Sequence, residues 1–315
     1  MPYQGFSIID FHIHFPLGWN MGRAAKRDPQ ADYARQRRAR WRLEWDFPEP
    51  EEIPSPEEVA DRWAGEVDRH GLDRVVVVTG GDNDILARLV SRHPGKLLGM
   101  AHHSLERPDA AAELARALGE LGLRGYKVIG TGLGVSLDDP ALQPVWRLLE
   151  ERSAPLLIHF GFLGLGGGHT ANQDPLTIAG VARRHPGLPI IIPHFGSGYW
   201  EELLRLCWAC PNVMVDTSGS NQWVRWLPYR LDLEDLFRKA YETIGPRRLL
   251  FGTDSSWFPR GFVFRYLQEQ MRACRLIGMP DQAIQDIFGG NAARLLDLPW
   301  PPQGGECSAA PARGG

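Results

Sequence analysis

Short apolar, β-branched runs alternate with longer amphipathic stretches along almost the whole chain. Eight such runs stand out, at 6–11, 74–79, 97–101, 124–129, 155–160, 189–194, 212–217 and 248–253. Between them lie segments with helical periodicity, at 56–70, 83–92, 109–121, 141–152, 174–185, 198–209, 232–243 and 261–277. Strands alternating with helices predict parallel strands joined by crossover helices, and eight repeats predict one closed (β/α)₈ TIM barrel of the α/β class.

Two regions break this rhythm. Residues 16–55 follow the first strand as an insertion, with eight Lys or Arg between Arg23 and Arg42 and then the acidic run FPEPEEIPSPEE. An insertion after the C-terminal end of a barrel strand lands on the face that carries chemistry, so a lid is expected there. The tail 299–315, rich in Pro, Gly, Ala and Ser, reads as disordered and leaves 1–298 as the barrel domain. The tetrapeptide RHPG recurs at Arg92 and Arg184, each time where a helix should stop. His93 and His185 are therefore expected to be structural, at the barrel's lower end.

With 43% hydrophobic residues, 11 Trp and 13 Phe over 315 positions, there is enough apolar area for one large core. A formal charge of −3 supplies no global basic face, and no nucleic-acid-binding motif is visible, so a small molecule is the expected partner. Neither a secretory leader pattern nor an apolar run of roughly 18 residues is found, which predicts a soluble cytoplasmic protein with no membrane partner. Four cysteines are too few for a disulfide scaffold, and Cys207 and Cys210 share a helical face with Leu203 and Leu206, as packing residues would.

Polar residues able to bind metal gather at the C-terminal ends of the predicted strands. His12 and His14, two apart on the first strand, leave the same face and can grip one ion. His159 ends the fifth strand, His194 the sixth, and Asp254 follows the eighth. Neutral imidazoles with a carboxylate suit Zn²⁺, the first choice, and would also accept Mn²⁺, Fe²⁺ or Co²⁺. Lys127, ending the fourth strand, His169 in the glycine-rich segment GFLGLGGGHT, and Trp257 beyond the eighth strand are candidate substrate-binding residues. His102 and His103 end the third strand, and only one of them can face the barrel axis.

The ordered motifs IIDFHIHFP, LLIHFG, IIPHFG, LLFGTDSSW and GGNAARLL, which span about Ile8 to Leu298, resemble the amidohydrolase superfamily. Within it the match is to the amidohydrolase-related branch that includes aminocarboxymuconate semialdehyde decarboxylase. This resemblance implies a single divalent ion ligated by His12, His14, His159 and Asp254, with His194 as the catalytic histidine. It also raises a carboxylated, metal-bridging Lys127 as an alternative, and a homodimer as an expectation. Two chemistries fit. The preferred expectation is hydrolysis of a small-molecule amide, ester or lactone by a metal-activated water, since the Gly-Tyr-Lys of the fourth strand looks hydrolytic. The alternatives are non-oxidative decarboxylation of an aromatic or muconate-type carboxylic acid, and a barrel that only binds its ligand.

Overall fold

The computed structural model describes residues 3–17, 36, 48, 50–52, 55–161, 171–224, 227 and 229–300. Most of the expected lid, the tail beyond Trp300, and His169 lie outside the described residues.

Eight parallel strands form the centre: β1 (Ile9–His14), β2 (Arg74–Thr79), β3 (Leu97–Gly99), β4 (Tyr126–Ile129), β5 (Leu156–His159), β6 (Ile190–Ile192), β7 (Val213–Asp216) and β8 (Leu249–Leu250). They pair in sequence order as a three-stranded and a five-stranded sheet. Single parallel bridges, Ala101 with Tyr126 and Ile13 with Ser255, join the two sheets and close the barrel. At the seam between β8 and β1 the backbone bonds Phe11 N–H to Phe251 O (2.9 Å), His14 N–H to Ser255 O (2.8 Å) and Asp254 N–H to His12 O (2.9 Å) hold the closure.

The helices follow the periodicity closely. Pro56–His70 is capped by the Ser55 side chain and stopped by Gly71 in the left-handed conformation. Leu233–Ile244 starts with a reciprocal capping box between Asp232 and Asp235. The expected helix at 174–185 is instead a 3₁₀ turn, Pro175–Ile178, running into a short α-helix, Ala179–Arg184. Asp174 caps that turn, and Pro175 fixes its first residue. Beyond the eighth unit the chain adds Asp281–Gln285, a π turn over Asp286–Gly290, and Asn291–Leu295, which the periodicity had not suggested.

Two apolar layers result. Between strands and helices lies the large core, which includes Trp63, Trp146, Phe237 and Leu267. A smaller one fills the barrel lumen, with Ile9 and Phe11 on β1, Val76 and Val78 on β2, Leu157 on β5, Ile191 on β6, Met214 on β7 and Leu250 on β8. Ala292, Ala293 and Leu296 belong to the same lumen cluster. Since side chains alternate along a strand, the residue two positions beyond a lumen residue is the next layer of the lumen. His159 lies two beyond Leu157, Asp216 two beyond Met214, and Gly252 two beyond Leu250. A polar layer therefore sits directly on the apolar one, at the C-terminal end of the strands.

The first strand needs a correction. It runs three residues later than expected, at Ile9–His14 rather than 6–11, and its register against β2 shifts between Asp10 and Ile13 and again before His14. Ile9 and Phe11 belong to the lumen cluster while Ile13 belongs to the outer core, so the inward phase changes at this irregularity. Such a shift re-aims side chains next to a site. Here it brings His12 and His14 inward.

Candidate active site

At the C-terminal mouth of the barrel the histidines and Asp254 converge. His12 Nε2 lies 3.2 Å from His14 Nε2, and His14 Nε2 lies 3.1 Å from Asp254 Oδ1. From His12 Nε2 to the same carboxylate oxygen is 3.9 Å. One ligand atom from each of His12, His194 and Asp254 falls within 4.8 Å of the other two. The His194 ring is centred 5.0 Å from that of His12 and 5.2 Å from that of His159. All four predicted ligands and His194 thus belong to one constellation, drawn from β1, β5 and the segments after β6 and β8.

His159 is buried, and neither of its ring nitrogens has a hydrogen-bond partner among the described residues. Leaving a buried polar atom unpaired costs about 1–3 kcal/mol. A divalent cation within reach of the imidazole removes that cost, and the donor set of imidazole nitrogens and one carboxylate suits such an ion. The residues therefore fit a metal.

Backbone geometry is unusual at the two residues that complete the site. His194 and Asp254 both have positive φ, +59° in each case, and Phe195 and Ser197 follow His194 at +47° and +44°. Asp and His tolerate this region better than most residues, and such strain collects at functional sites. The turn is locked from outside. Phe195 packs edge-on against Trp200 and Phe237. A Cβ on Gly161 would lie 2.3 Å from Ser197 O, so only glycine permits this approach of the β5 exit to the turn.

Burial would raise the Asp254 carboxyl, but the hydrogen bond with His14 and the nearby His194, His14 and His12 outweigh it and hold the group well below the usual carboxylate range. Burial pushes His12 and His159 well below the ordinary imidazole value, helped for His12 by Lys127 and for His159 by His194. Lys127, 2% exposed, is the second residue of β4 rather than its last, level with Leu157, and is pushed down to about 8 by burial against the pull of Asp216 and Asp254.

A pH prediction follows. Metal ligands must be deprotonated, so protons compete with the ion only below the ligand pKa values. His12, His159 and Asp254 are all held down, which moves their share of that competition to the acid side of 6.5. Metal affinity measured against a chelator is expected to hold from pH 8 to 7 and to weaken under acidic conditions. A steep fall already between pH 8 and 7 would contradict these shifts.

His102 faces the site, with burial lowering its pKa and its Nδ1 within 3.1 Å of Lys127 O. His103 turns away, its Nε2 toward Ala110 O (3.1 Å) and its ring over Tyr126. His93 and His185 pair with Asp61 (2.7 Å) and Glu150 (2.8 Å), as structural residues do. The Trp257 indole donates to Pro48 O (3.1 Å) and its ring carries the Arg260 guanidinium at 5.1 Å. Trp223 and the cysteines Cys207 and Cys210 are buried in the core.

The sequence reading passed over Asp216, Ser218, Thr79 and Asp10. Asp216 Oδ2 lies 2.5 Å from His12 Nδ1, and Thr79 Oγ1 lies 2.6 Å from His14 Nδ1. Ser218 O accepts from His194 Nδ1 at 2.7 Å. Asp10, pushed up to about 7 by burial, accepts from the His12 and Thr253 backbone N–H groups, each at 3.1 Å. Strand parity marks Asp216 as inward-facing, two residues past Met214, and was the available signal.

The sequence profile described as amidohydrolase matches residues 9–298. A 2-amino-3-carboxymuconate-6-semialdehyde decarboxylase of Dictyostelium discoideum is 24% identical over 240 residues, covering 69% of this chain and 65% of the relative. A gamma-resorcylate decarboxylase of Rhodococcus jostii (strain RHA1) is 26% identical over 231 residues, covering 58% and 67%. The chain thus spans about two thirds of the length of these curated relatives. Among solved structures, an uncharacterised TIM-barrel protein from Bordetella bronchiseptica superposes with a TM-score of 0.68 at 22% identity, over 92% of this chain and 98% of the other.

Proposed function

Because the chain belongs to the amidohydrolase family, we propose that it is a divalent-metal-dependent decarboxylase of a small aromatic or muconate-type carboxylic acid. It is an enzyme of the amidohydrolase superfamily, and the comparisons favour loss of CO₂ over the hydrolysis preferred from sequence, since the two curated relatives described above are both named as decarboxylases. The observation that carries the reading is the buried Lys127 side chain, which Asp216 and Asp254 both act on electrostatically. A divalent ion together with Lys127 would set cationic groups at the pocket, which favours a carboxylate over a neutral amide or lactone.

In this reading His12, His14, His159 and Asp254 hold the ion, with Zn²⁺ the first candidate and Mn²⁺, Fe²⁺ or Co²⁺ the others. When bound it supplies a Lewis acid that orients a substrate oxygen and draws electron density from the carbon skeleton. Lys127 pairs with the substrate carboxylate, while Trp257 is a further substrate contact. His194 is held with its Nδ1–H on Ser218 O, which leaves Nε2 to take a proton from solvent and deliver it to the carbon. As that C–H bond forms, the C–C bond to the carboxylate breaks and its electron pair is retained by the carbon that gains the proton. CO₂ leaves.

The test is a panel of aromatic and muconate-type carboxylic acids, alongside lactones and amides, given to metal-loaded protein. CO₂ released in step with loss of the acid is the expected result. A product heavier by one water, without CO₂, would return the assignment to hydrolysis.

A further inference from the structure

The last residue of β7 and the serine two beyond it do not face the metal position, yet they touch the imidazoles that do. Asp216 is fully buried, with Oδ2 at 2.5 Å from His12 Nδ1 and Oδ1 accepting the Ser218 N–H at 2.7 Å. Ser218 Oγ stands between two rings, 3.0 Å from His12 Nδ1 and 2.9 Å from His194 Nδ1. Its carbonyl takes the His194 Nδ1–H, because a carbonyl oxygen can only accept. The carboxylate has little room to move. A Cβ on Gly252 would lie 2.7 Å from Asp216 Oδ1, 2.9 Å from Ser218 Cβ and 3.0 Å from His12 Cβ, so β8 presses against this pair where it has no side chain.

We propose that Asp216 is the positioning residue of the site: it keeps the His12 proton on Nδ1, so that the Nε2 lone pair faces His14 and Asp254, where the cation binds. The inference rests on the metal-site reading above. An imidazole has one proton to place, and the side that meets a carboxylate keeps it. His12 Nε2 lies 3.2 Å from His14 Nε2, a distance suited to two lone pairs sharing one cation. With the proton on the wrong nitrogen, His12 would present an N–H to that position. Ser218 gives His194 the same orientation, so one short segment after β7 fixes both rings.

The Asp216→Asn variant reverses this arrangement without changing shape. The amide oxygen must stay where Oδ1 now accepts the Ser218 N–H, so the NH₂ group falls opposite His12 Nδ1. It donates there, and the proton moves to Nε2. Two measurements read the outcome. In the metal-free protein, ¹⁵N-resolved imidazole NMR is expected to show His12 as the Nδ1–H tautomer in the native chain and as Nε2–H in Asp216→Asn. Zn²⁺ affinity, by competition with a chromophoric chelator, is expected to fall about 10- to 100-fold, the range seen when such outer partners of a ligand are removed.

The Asp216→Ala variant separates positioning from packing. It leaves Ser218 Oγ to accept from Nδ1, so it should bind Zn²⁺ better than Asp216→Asn while melting at a lower temperature. A packing role would give the opposite order, with Ala the worse binder. Native tautomer and native affinity in Asp216→Asn, or an affinity loss that merely follows the melting temperature across both variants, would overturn the proposal. Failure of the native protein to bind any metal would instead overturn the metal-site reading, and the tautomer comparison in metal-free protein would still decide the role of Asp216.

Discussion

Changing Asp254 to Asn is expected to leave a folded barrel that retains little metal through gel filtration and turns over at least about 10³-fold more slowly. The substitution is chosen for its backbone. Asp254 sits at φ +59°, where Asn is tolerated and Ala is not, so loss of function cannot be ascribed to strain. What changes is charge. Asp254 is the carboxylate that meets the imidazoles directly at the mouth, while Asp216 is engaged from behind by His12 Nδ1. Without it a dication would be held by neutral rings beside the Lys127 ammonium. A Lewis-acid contribution of several kcal/mol, at about 1.4 kcal/mol per factor of ten, corresponds to roughly three powers of ten or more in rate. Metal content by elemental analysis and kcat on the same sample check it, with thermal melting as the control for folding. Full occupancy and native turnover in Asp254→Asn would remove Asp254 from the set of residues that hold the ion.

Periodicity was sufficient for the architecture because each strand is an apolar run with its own crossover helix, and the barrel closes with no strand out of order. That the five residues now found close together at the mouth stood out in the sequence has a related reason. Burying four imidazoles and a carboxylate together is costly unless something pays for it, so their repeated placement at strand ends carried information that no single histidine does. His93 and His185 show the contrast, as they end helices and meet Asp61 and Glu150.

What escaped the sequence was set by tertiary geometry. The inward phase of β1 depends on a register shift against β2 that no alternation pattern within FSIIDFHIH specifies. Only Leu249–Leu250 is regular strand at β8, and the residues up to Ser255 meet β1 through separate backbone bonds that the apolar run does not mark. Asp216 reads as one more polar residue ending a strand until its distance to His12 Nδ1 is known. The reaction was the least legible feature. The same ligands and the same histidine serve attack by water and protonation of carbon, and what distinguishes them is the charge and shape of the space above Lys127, which the motifs do not encode.

The His194→Asn variant tests that division of labour among the histidines. His194 also has φ +59°, and Asn again preserves the turn. If His194 moves the proton while His12, His14, His159 and Asp254 hold the ion, the variant should keep its metal and lose about 10²- to 10⁴-fold in kcat, the range of general acid–base catalysis. KM should change little, because carboxylate pairing is assigned to Lys127. The proximity of His194 to His12 and Asp254, within 4.8 Å, makes the alternative concrete. A ligand role would strip the metal from His194→Asn, as it does from Asp254→Asn, and added Zn²⁺ would restore part of the rate. Burial lowers the His194 pKa despite the opposing pull of Asp254 and Asp216, so its protonated form is a stronger acid than free imidazolium and gives up a proton readily. Full metal content with native kcat would place the proton on another group, and His102, which shares the mouth with Lys127, is the residue to change next.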